Sequence, residues 1–492
     1  MEITGTHTTF RKISTQRREF GAMELVFAAT AFLLLAGSGW AQEEARTPTE
    51  EVPAVQATST PADEALAFKP EGRVVIPESS VVHPEDAGVR FHTNYVLFVP
   101  EGGGLFSPSP DFTFAETPAS LGCVYRVGPI YAGCNPSTGG INHPTGGWGA
   151  IALVDAFDNP NAASDLAFFS SHWGLPAATF TKVYANSSFG TLGGLTASCS
   201  GAPPGNTGWG LEEDLDIEWA HAMAPSAKII LVEACSNSGN DLFYAEQVAG
   251  IEVLAAGGGD ISNSWGGGEF PGENNYDTFL GGPSSLYWKQ ITYFASAGDS
   301  GVGAAYPSSS PWVVSAGGTT VNRDANGNFL SESCWAGSGG GKSSQEIWQS
   351  PPSITNGMGP WAGYQYELFS GYPYSTAPRE TPDLAFNADP ASGVLVYDTY
   401  GGGGWYVVGG TSVASPALAG IVNNANNRLG QAPTGGGWRF TGENDLLYSQ
   451  LNAHTAYPTN FYDVTTGSNG SSAGPGWDQC TGIGTPRGKL GK

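Results

Sequence analysis

From residue 149 onward, short runs of consecutive apolar residues alternate with longer stretches in which apolar residues recur every three or four positions. "GAIALVDA" (149–156), "KIILVEA" (228–234), "DISNSW" (260–265) and "ITYFASAG" (291–298) are of the first kind. "AASDLAFFSSHWG" (162–174), "LDIEWAHAMA" (215–224) and "NDLFYAEQVAGIEVLAA" (240–256) are of the second. Short continuous apolar runs read as strands buried on both faces, and the 3.6-residue period reads as helices with one apolar stripe. Their alternation predicts an α/β fold, a mainly parallel sheet covered by helices on both faces. Upstream, "RVVIP" (73–77) and "NYVLFVP" (94–100) read as strands after a flexible stretch rich in Pro, Glu and Thr. The glycine-rich "GSGGGKSS" (337–344) and "YGGGGWY" (400–406) read as surface turns or hairpins.

One string departs from this regular texture. "EEDLDIEWAHAMAP" (212–225) carries five carboxylates in its first seven positions. On a strand, Asp214, Asp216 and Glu218 would share a face, which resembles the E-x-D-x-E signature of laminarinase-type glycoside hydrolases with Asp for the first Glu. On a helix, Glu212 and Asp216 would share a face instead. A solvated acidic helix start is the third reading, since acidic side chains favour the first turn. Leu215, Trp219, Ala222 and Met223 recur at spacings of three and four, and a clear strand follows, so the string is predicted to be helical.

Composition narrows the class of function. The 492 residues carry a net charge of −25, with only 20 Lys plus Arg. Nucleic acid selects basic surfaces, so it is excluded as a partner. A chain with few ion pairs has little to lose when carboxylates protonate, so acid tolerance is expected. Arg11, Lys12, Arg17 and Arg18 precede the apolar "LVFAATAFLLLAG" (25–37) and small residues up to Ala41. This reads as an export signal over 1–41, and the apolar run is too short for a membrane span. The product is expected to be secreted or periplasmic, free of the membrane in its mature form, and monomeric. Six cysteines in an exported chain predict disulfides. Proximity pairs Cys123 with Cys134 and Cys199 with Cys235, leaving Cys334 for Cys480.

Late in the chain, "YVVGGTSVASPALAGIVNNANNRLG" (406–430) runs from a strand pattern through two glycines into a long helical pattern with Pro416 in its first turn. Ser412 at that helix start would lie among unpaired amides and the positive end of the helix dipole, a favourable place for a nucleophile and a developing oxyanion. Taken alone, Thr411 or Ser412 could simply cap the helix. The string G-T-S-x-x-x-P resembles the nucleophile motif of subtilisin-like peptidases. Their H-G-T-H-V-type histidine string has no counterpart, and His221 lies nine residues past Glu212, roughly on the opposite side of its helix.

The sedolisin family of serine-carboxyl peptidases uses the subtilisin-like fold with Glu for that histidine, and the resemblance here is close over about 116–488. "GLEEDLDIEWAHAMAPSAKIILVEA" (210–234) resembles its Glu-x-x-x-Asp helix, "FASAGDSG" (294–301) its oxyanion motif, "RETPDLAFNADPASGVLVYD" (379–398) the segment before its serine, and "GGTSVASP" (409–416) the serine itself. The resemblance implies Ser412 as nucleophile, Glu212 as base, Asp216 sharing the proton of Glu212, and a protonated Asp299 donating to the oxyanion. A carboxylate base and a protonated donor both imply an acidic optimum and a peptide or unfolded-protein substrate. Asp155, at the end of the first core strand, is expected to join the carboxylate network. Ser264, Trp265, Gly266 and Gly267 in "SNSWGGGE" (262–269) are expected to pair with an extended substrate.

Near the C-terminus, "FYDVTTGSNG" and "SSAGPGWDQCTGIGTP" (461–486) resemble the family's calcium site. That implies one structural Ca2+ held by the carboxylates of Asp463 and Asp478 and the carbonyls of Val464, Gly474 and Gly476. The family is made with a propeptide, which implies that 42–115 form a short propeptide or N-terminal extension ahead of a peptidase domain over 116–492. Two other functions stay open on sequence: a His-dependent subtilisin-type protease, and a glycan hydrolase or glycan-binding protein built on 212–218.

Overall fold

The computed structural model describes residues 51–52, 67–110, 112–281, 291–347, 378–425, 442–451 and 457–490. The expected export signal over 1–41 lies outside the described residues. Four short strands come first, β1 (Glu51–Val52), β2 (Gly72–Val75), β3 (His92–Thr93) and β4 (Val96–Pro100), then helix α1 (Pro118–Val124). The alternating region follows as β5 (Ala150–Ala156), α2 (Ala162–Trp173), β6 (Thr179–Ala185), α3 (Thr207–Met223), β7 (Lys228–Ala234), α4 (Gly239–Ala255), β8 (Gly259–Asn263), β9 (Trp265–Gly268) and β10 (Ile291–Ser296). Beyond it, β11 (Ala305–Tyr306), β12 (Val313–Arg323), β13 (Phe329–Cys334), β14 (Gly341–Ile347), β15 (Pro378–Thr381), β16 (Leu384–Asn387), β17 (Val394–Asp398) and β18 (Gly404–Gly409) lead into α5 (Thr411–Ala425).

The main sheet runs β13-β12-β10-β8-β5-β7-β6, with β16 also pairing with β12. Every pairing in it is parallel except β12 with β13. The two-residue period of β5 explains why one strand can be apolar throughout. Ile151 and Leu153 point into a core shared with Leu215, Trp219, Met223, Leu418 and Ile421, whereas Ala150, Ala152 and Val154 point into a core shared with Leu242, Ala245 and Val248. Helices α3 and α5 therefore cover one face and α4 the other, the predicted α/β arrangement.

A second sheet is antiparallel, in the order β1-β2-β4-β18-β17, and joins the N-terminal strands to the strand before α5. The hairpin expected at "YGGGGWY" is present between β17 and β18. The other glycine-rich string is not a surface turn: Ser338, Gly339 and Gly340 are buried. Gly339 donates its N–H to the Gly298 carbonyl, and a Cβ there would overlap the Ala297 carbonyl, so backbone packs directly on backbone. The three disulfides pair as expected, Cys123–Cys134, Cys199–Cys235 and Cys334–Cys480. Among the described residues, no helix is long and apolar enough to cross a membrane.

Candidate active site

Helix α3 starts at Asn206, whose side chain accepts from the N–H groups of Gly208 and Trp209. The five carboxylates that follow are all fully buried, which overturns both the solvated helix start and the strand reading. Burying Leu215, Trp219 and Met223 contributes roughly 1.5–3 kcal/mol each. An ionised carboxylate in the same place costs several kcal/mol, so the helix stays buried only if most of these carboxyls keep a proton or receive strong donors. They sort by helical spacing into separate neighbourhoods. Glu213 accepts from the Asn159 N–H beside Glu233 and Lys182. Asp214 accepts from the Asn159 amide, and Glu218 accepts from the Tyr397 N–H. Glu212 and Asp216, one turn apart, face α5.

Strand β18 ends at Gly409, and Gly410 turns the chain at φ +100°, where a side chain would be strained. Ser412 is thereby set at the second position of α5 and buried. Its Oγ lies 2.9 Å from Glu212 Oε2 and 3.1 Å from the Ser264 carbonyl. Ser264 in turn donates its hydroxyl to Asp216 Oδ1 at 2.6 Å. That side-chain link was missed in the sequence, where Ser264 counts only for its backbone. Asp299, just past β10, accepts at Oδ1 from the N–H and the hydroxyl of Thr411, at 2.7 and 2.8 Å. Gly298 donates to the same hydroxyl, so the Asp299 loop is latched to the helix start.

The electrostatics follow from burial. Glu212 Oε1, Asp216 Oδ2 and both oxygens of Asp155 are buried without a hydrogen-bond donor. Desolvation, then the neighbouring carboxyls, raise Glu212 well above the usual carboxylate range, while the Ser412 hydroxyl pulls it back down. Asp216 is raised by burial and by Asp155, and burial alone takes Asp155 to about 8. Burial also takes Asp299 to about 7 against the lowering effect of the Thr411 bonds. Three acids packed together cannot all ionise, and of the three, Glu212 and Asp216 each face a hydroxyl donor, from Ser412 and Ser264, while Asp155 faces none, so the charge settles on the Glu212–Asp216 pair.

The expected substrate strand lies beside this set. The Trp265 ring is buried and donates to the Val154 carbonyl, while Gly266 and Gly267 leave the backbone edges open to close approach. Both edges of β9 are filled by the chain itself, β3 on one side and β11 on the other. His221 is buried, with Nε2 2.9 Å from the Pro176 carbonyl, and desolvation lowers it to about 4. It packs away from Ser412 and cannot serve as a subtilisin-type base.

Two oxygen-rich places could hold a cation. Asp463 accepts from the Gly476 N–H, and its Oδ1 and the Gly476 carbonyl both face the Tyr457 hydroxyl. Asp478 accepts from the N–H groups of Gly474, Cys480 and Thr481. Val464, beside Asp463, is buried. Carboxylates and main-chain carbonyls are the donor types a hard cation takes. Asp165, Asp214 and Asp398 also bring one oxygen each within 4.8 Å of one another. Only folding makes this second group visible, because it joins α2, α3 and the end of β17. The sequence signal that pointed toward it is a run of acids in 212–218 with no Lys or Arg among them.

No protein-family model matches the chain. Kumamolisin from Bacillus sp. (strain MN-32) is 31% identical over 367 residues, 69% of this chain and 58% of that protein. Sedolisin from Pseudomonas sp. (strain 101) is 30% identical over 226 residues, 39% and 33% respectively. Xanthomonalisin from Xanthomonas sp. (strain T-22) is 25% identical over 464 residues, 82% and 48%. The chain thus spans 58% or less of the length of these curated relatives. A solved structure of Pseudomonas sedolisin, a serine-carboxyl proteinase complexed with two molecules of pseudo-iodotyrostatin, covers 76% of this chain and 95% of its own. Its TM-score is 0.53 at 24% identity, a likeness of fold. Sequence similarity to kumamolisin, sedolisin and xanthomonalisin, together with this likeness of fold, supports the sedolisin family for this chain.

Proposed function

We propose that the protein is an exported serine-carboxyl peptidase that hydrolyses peptide bonds at acidic pH. The observation that carries this reading is the 2.9 Å contact between Ser412 Oγ and Glu212 Oε2 at the start of α5. Glu212 takes the Ser412 proton as Oγ attacks the peptide carbonyl carbon, then returns it to the leaving amine. Asp216 and Asp155 act as positioning residues: they hold protons and leave the single negative charge on Glu212. The oxyanion meets the Ser412 N–H and a protonated Asp299. With Asp299 raised to about 7, that acid remains a donor throughout the acidic range. Ser264, Trp265, Gly266 and Gly267 supply main-chain pairing for an extended peptide or unfolded protein.

The test is the pH profile of cleavage of an unfolded protein by the purified wild type, Ser412→Ala and Glu212→Gln. Cleavage is expected only in acid, with a loss of about 10³-fold or more in each variant. A wild-type profile peaking above neutrality would sink the carboxylate base.

One structural Ca2+ bound by Asp463 and Asp478, with the carbonyls of Val464, Gly474 and Gly476, completes the reading. When bound, the ion cross-links loops that flank Cys480. Chelation of the purified protein is expected to lower its Tm, with recovery on adding Ca2+; an unchanged Tm in calorimetry excludes the site.

A further inference from the structure

The Asp299 carboxyl presents its two oxygens to two different neighbours. Oδ1 accepts from the Thr411 N–H at 2.7 Å and from the Thr411 hydroxyl at 2.8 Å. Oδ2 is buried and meets no hydrogen-bond donor. Just past β3, the Asn94 N–H donates to the Ser264 carbonyl at 3.1 Å, and the Asn94 carbonyl accepts from the Ser412 N–H at 2.9 Å. That carbonyl oxygen marks where an oxygen held by the Ser412 amide sits. It and Asp299 Oδ2 border one point, since a Cβ on Gly410 would lie 2.3 Å from the first and 2.5 Å from the second. Two oxygens that carry only lone pairs repel when they face each other, so the arrangement calls for a proton between them, and a carbonyl cannot supply it.

The direction of the Thr411 hydroxyl follows from its second neighbour. Gly298 donates its N–H to Thr411 Oγ1 at 3.0 Å. An N–H cannot accept, so the hydroxyl sends its own hydrogen to Asp299 Oδ1. Oδ1 then faces two hydrogens, one from the backbone and one from the side chain. A proton on that oxygen would meet both head-on, whereas a proton on Oδ2 meets only lone pairs. Thr411 is buried at the first position of α5, so its N–H is among those a helix leaves unpaired, and β-branching restricts the rotamer that carries its hydroxyl. Glu212 on α3 is the ionisable group that Asp299 reaches by charge. Among the described residues, the positions hydrogen-bonded to 297–303, which are Ala316, Gly337, Gly339, Gly340, Thr411 and Asn469, carry no ionisable side chain.

Resting on the peptidase reading above, we propose that Thr411 is a positioning residue that decides which oxygen of Asp299 carries the proton. Its N–H and hydroxyl hold Oδ1 as an acceptor, which leaves Oδ2–H as the donor aimed at the oxyanion. A carboxylic acid is otherwise free to protonate on either oxygen, and only one of the two forms can stabilise charge on the substrate. Thr411 and Ser412 are consecutive, so the helix start that presents the nucleophile also orients the acid that serves it. Both Thr411 donors also favour the ionised form, and they lower the Asp299 pKa that burial raises. The hydroxyl thus has two separable effects: it raises the fraction of Asp299 protonated on the useful oxygen, and it brings the alkaline limb to lower pH. A residue that only fastened the loop would show neither.

The experiment measures kcat and KM across pH on a quenched-fluorescent peptide that the wild type cuts. Thr411→Val keeps the shape and the N–H but removes the hydroxyl. It is expected to lose about tenfold in kcat with little change in KM, and to move the alkaline limb upward by about half a pH unit, since one lowering bond is gone. Thr411→Ser restores the hydroxyl and is expected to recover most of the lost kcat together with the wild-type limb. In an Asp299→Asn background, which has no proton to place, Thr411→Val is expected to cost less than about threefold. An unmoved alkaline limb in Thr411→Val, or equal losses in the two backgrounds, overturns the inference and leaves the peptidase reading standing. Wild type that cleaves nothing in acid removes that reading itself. Because Val leaves the Gly298 N–H without an acceptor, thermal unfolding is recorded for every variant. Thr411→Ser that unfolds like wild type yet stays as slow as Thr411→Val overturns the inference as well.

Discussion

In the proposed mechanism, one proton on Asp299 separates a hydrogen-bond donor to the oxyanion from a buried anion. Burial raises its pKa to about 7, so the donor form is present in acid and lost as pH rises through neutrality. Asp299→Asn removes this titration and retains both an acceptor for the Thr411 N–H and an amide donor. Its kcat/KM profile is expected to extend at least one pH unit further into the neutral range, and an alkaline limb identical to that of wild type would show that another group controls it. Asp155, raised to about 8, is neutral throughout the acidic range, so Asp155→Asn is expected to leave the acidic limb where it is, and a shift of that limb would show that Asp155 carries charge there. At this scale, the helix start at Ser412 and the common face of Glu212 and Asp216 were legible, because glycine pairs and i,i+4 spacing are local signals. The Ser264 hydroxyl on Asp216 was not, because that contact joins positions 48 residues apart through strand order.

Helices α3 and α5 carry Glu212 and Ser412 as two rigid bodies, and Gly420 lets them approach. A Cβ on Gly420 would sit 2.7 Å from Met223 Cβ and 3.0 Å from the Ala220 carbonyl, both on α3. Gly420→Ala forces the helices apart at a cost of about 1–3 kcal/mol. Because the separation is transmitted to the 2.9 Å contact, the variant is expected to lose at least tenfold in kcat with little change in KM. A drop in Tm with kcat unchanged would show that the packing is structural only. The helices and core strands were readable from periodicity alone. The "GSGGGKSS" string was not, since its glycines serve backbone contact with the Asp299 loop, and composition cannot separate that use from a surface turn.

For the whole molecule, stability depends on an unusual number of neutral buried acids. Burial takes Asp155, Glu233 and Glu273 to about 8 and Asp260, Asp277 and Asp299 to about 7. Each of these pKa values is higher folded than unfolded, so the stability is fully present below about pH 4 and is lost as pH rises toward 8. At about 1.4 kcal/mol per unit, Asp299 alone shifts by roughly 4 kcal/mol across that window. His221, lowered to about 4, works in the opposite sense, as do His92 and His172, which burial also lowers. Calorimetry from pH 3 to pH 8 is therefore expected to show Tm falling toward neutrality, and a rising Tm would contradict it. The low content of ion pairs pointed to acid tolerance, but the cause lies in protonated carboxyls inside the fold, which net charge does not reveal. The seating of residues 92–94 on β9 also bears on the order in which a ribosome makes the chain. Glu212 and Ser412 are 200 positions apart. At about 5–20 residues per second, roughly 10 to 40 seconds of synthesis separate them. Residues 92–94 and the edge they pair with are both complete before Ser412 is made, so the proposed nucleophile is the last of these parts to arrive, beside a strand edge whose partner is already available.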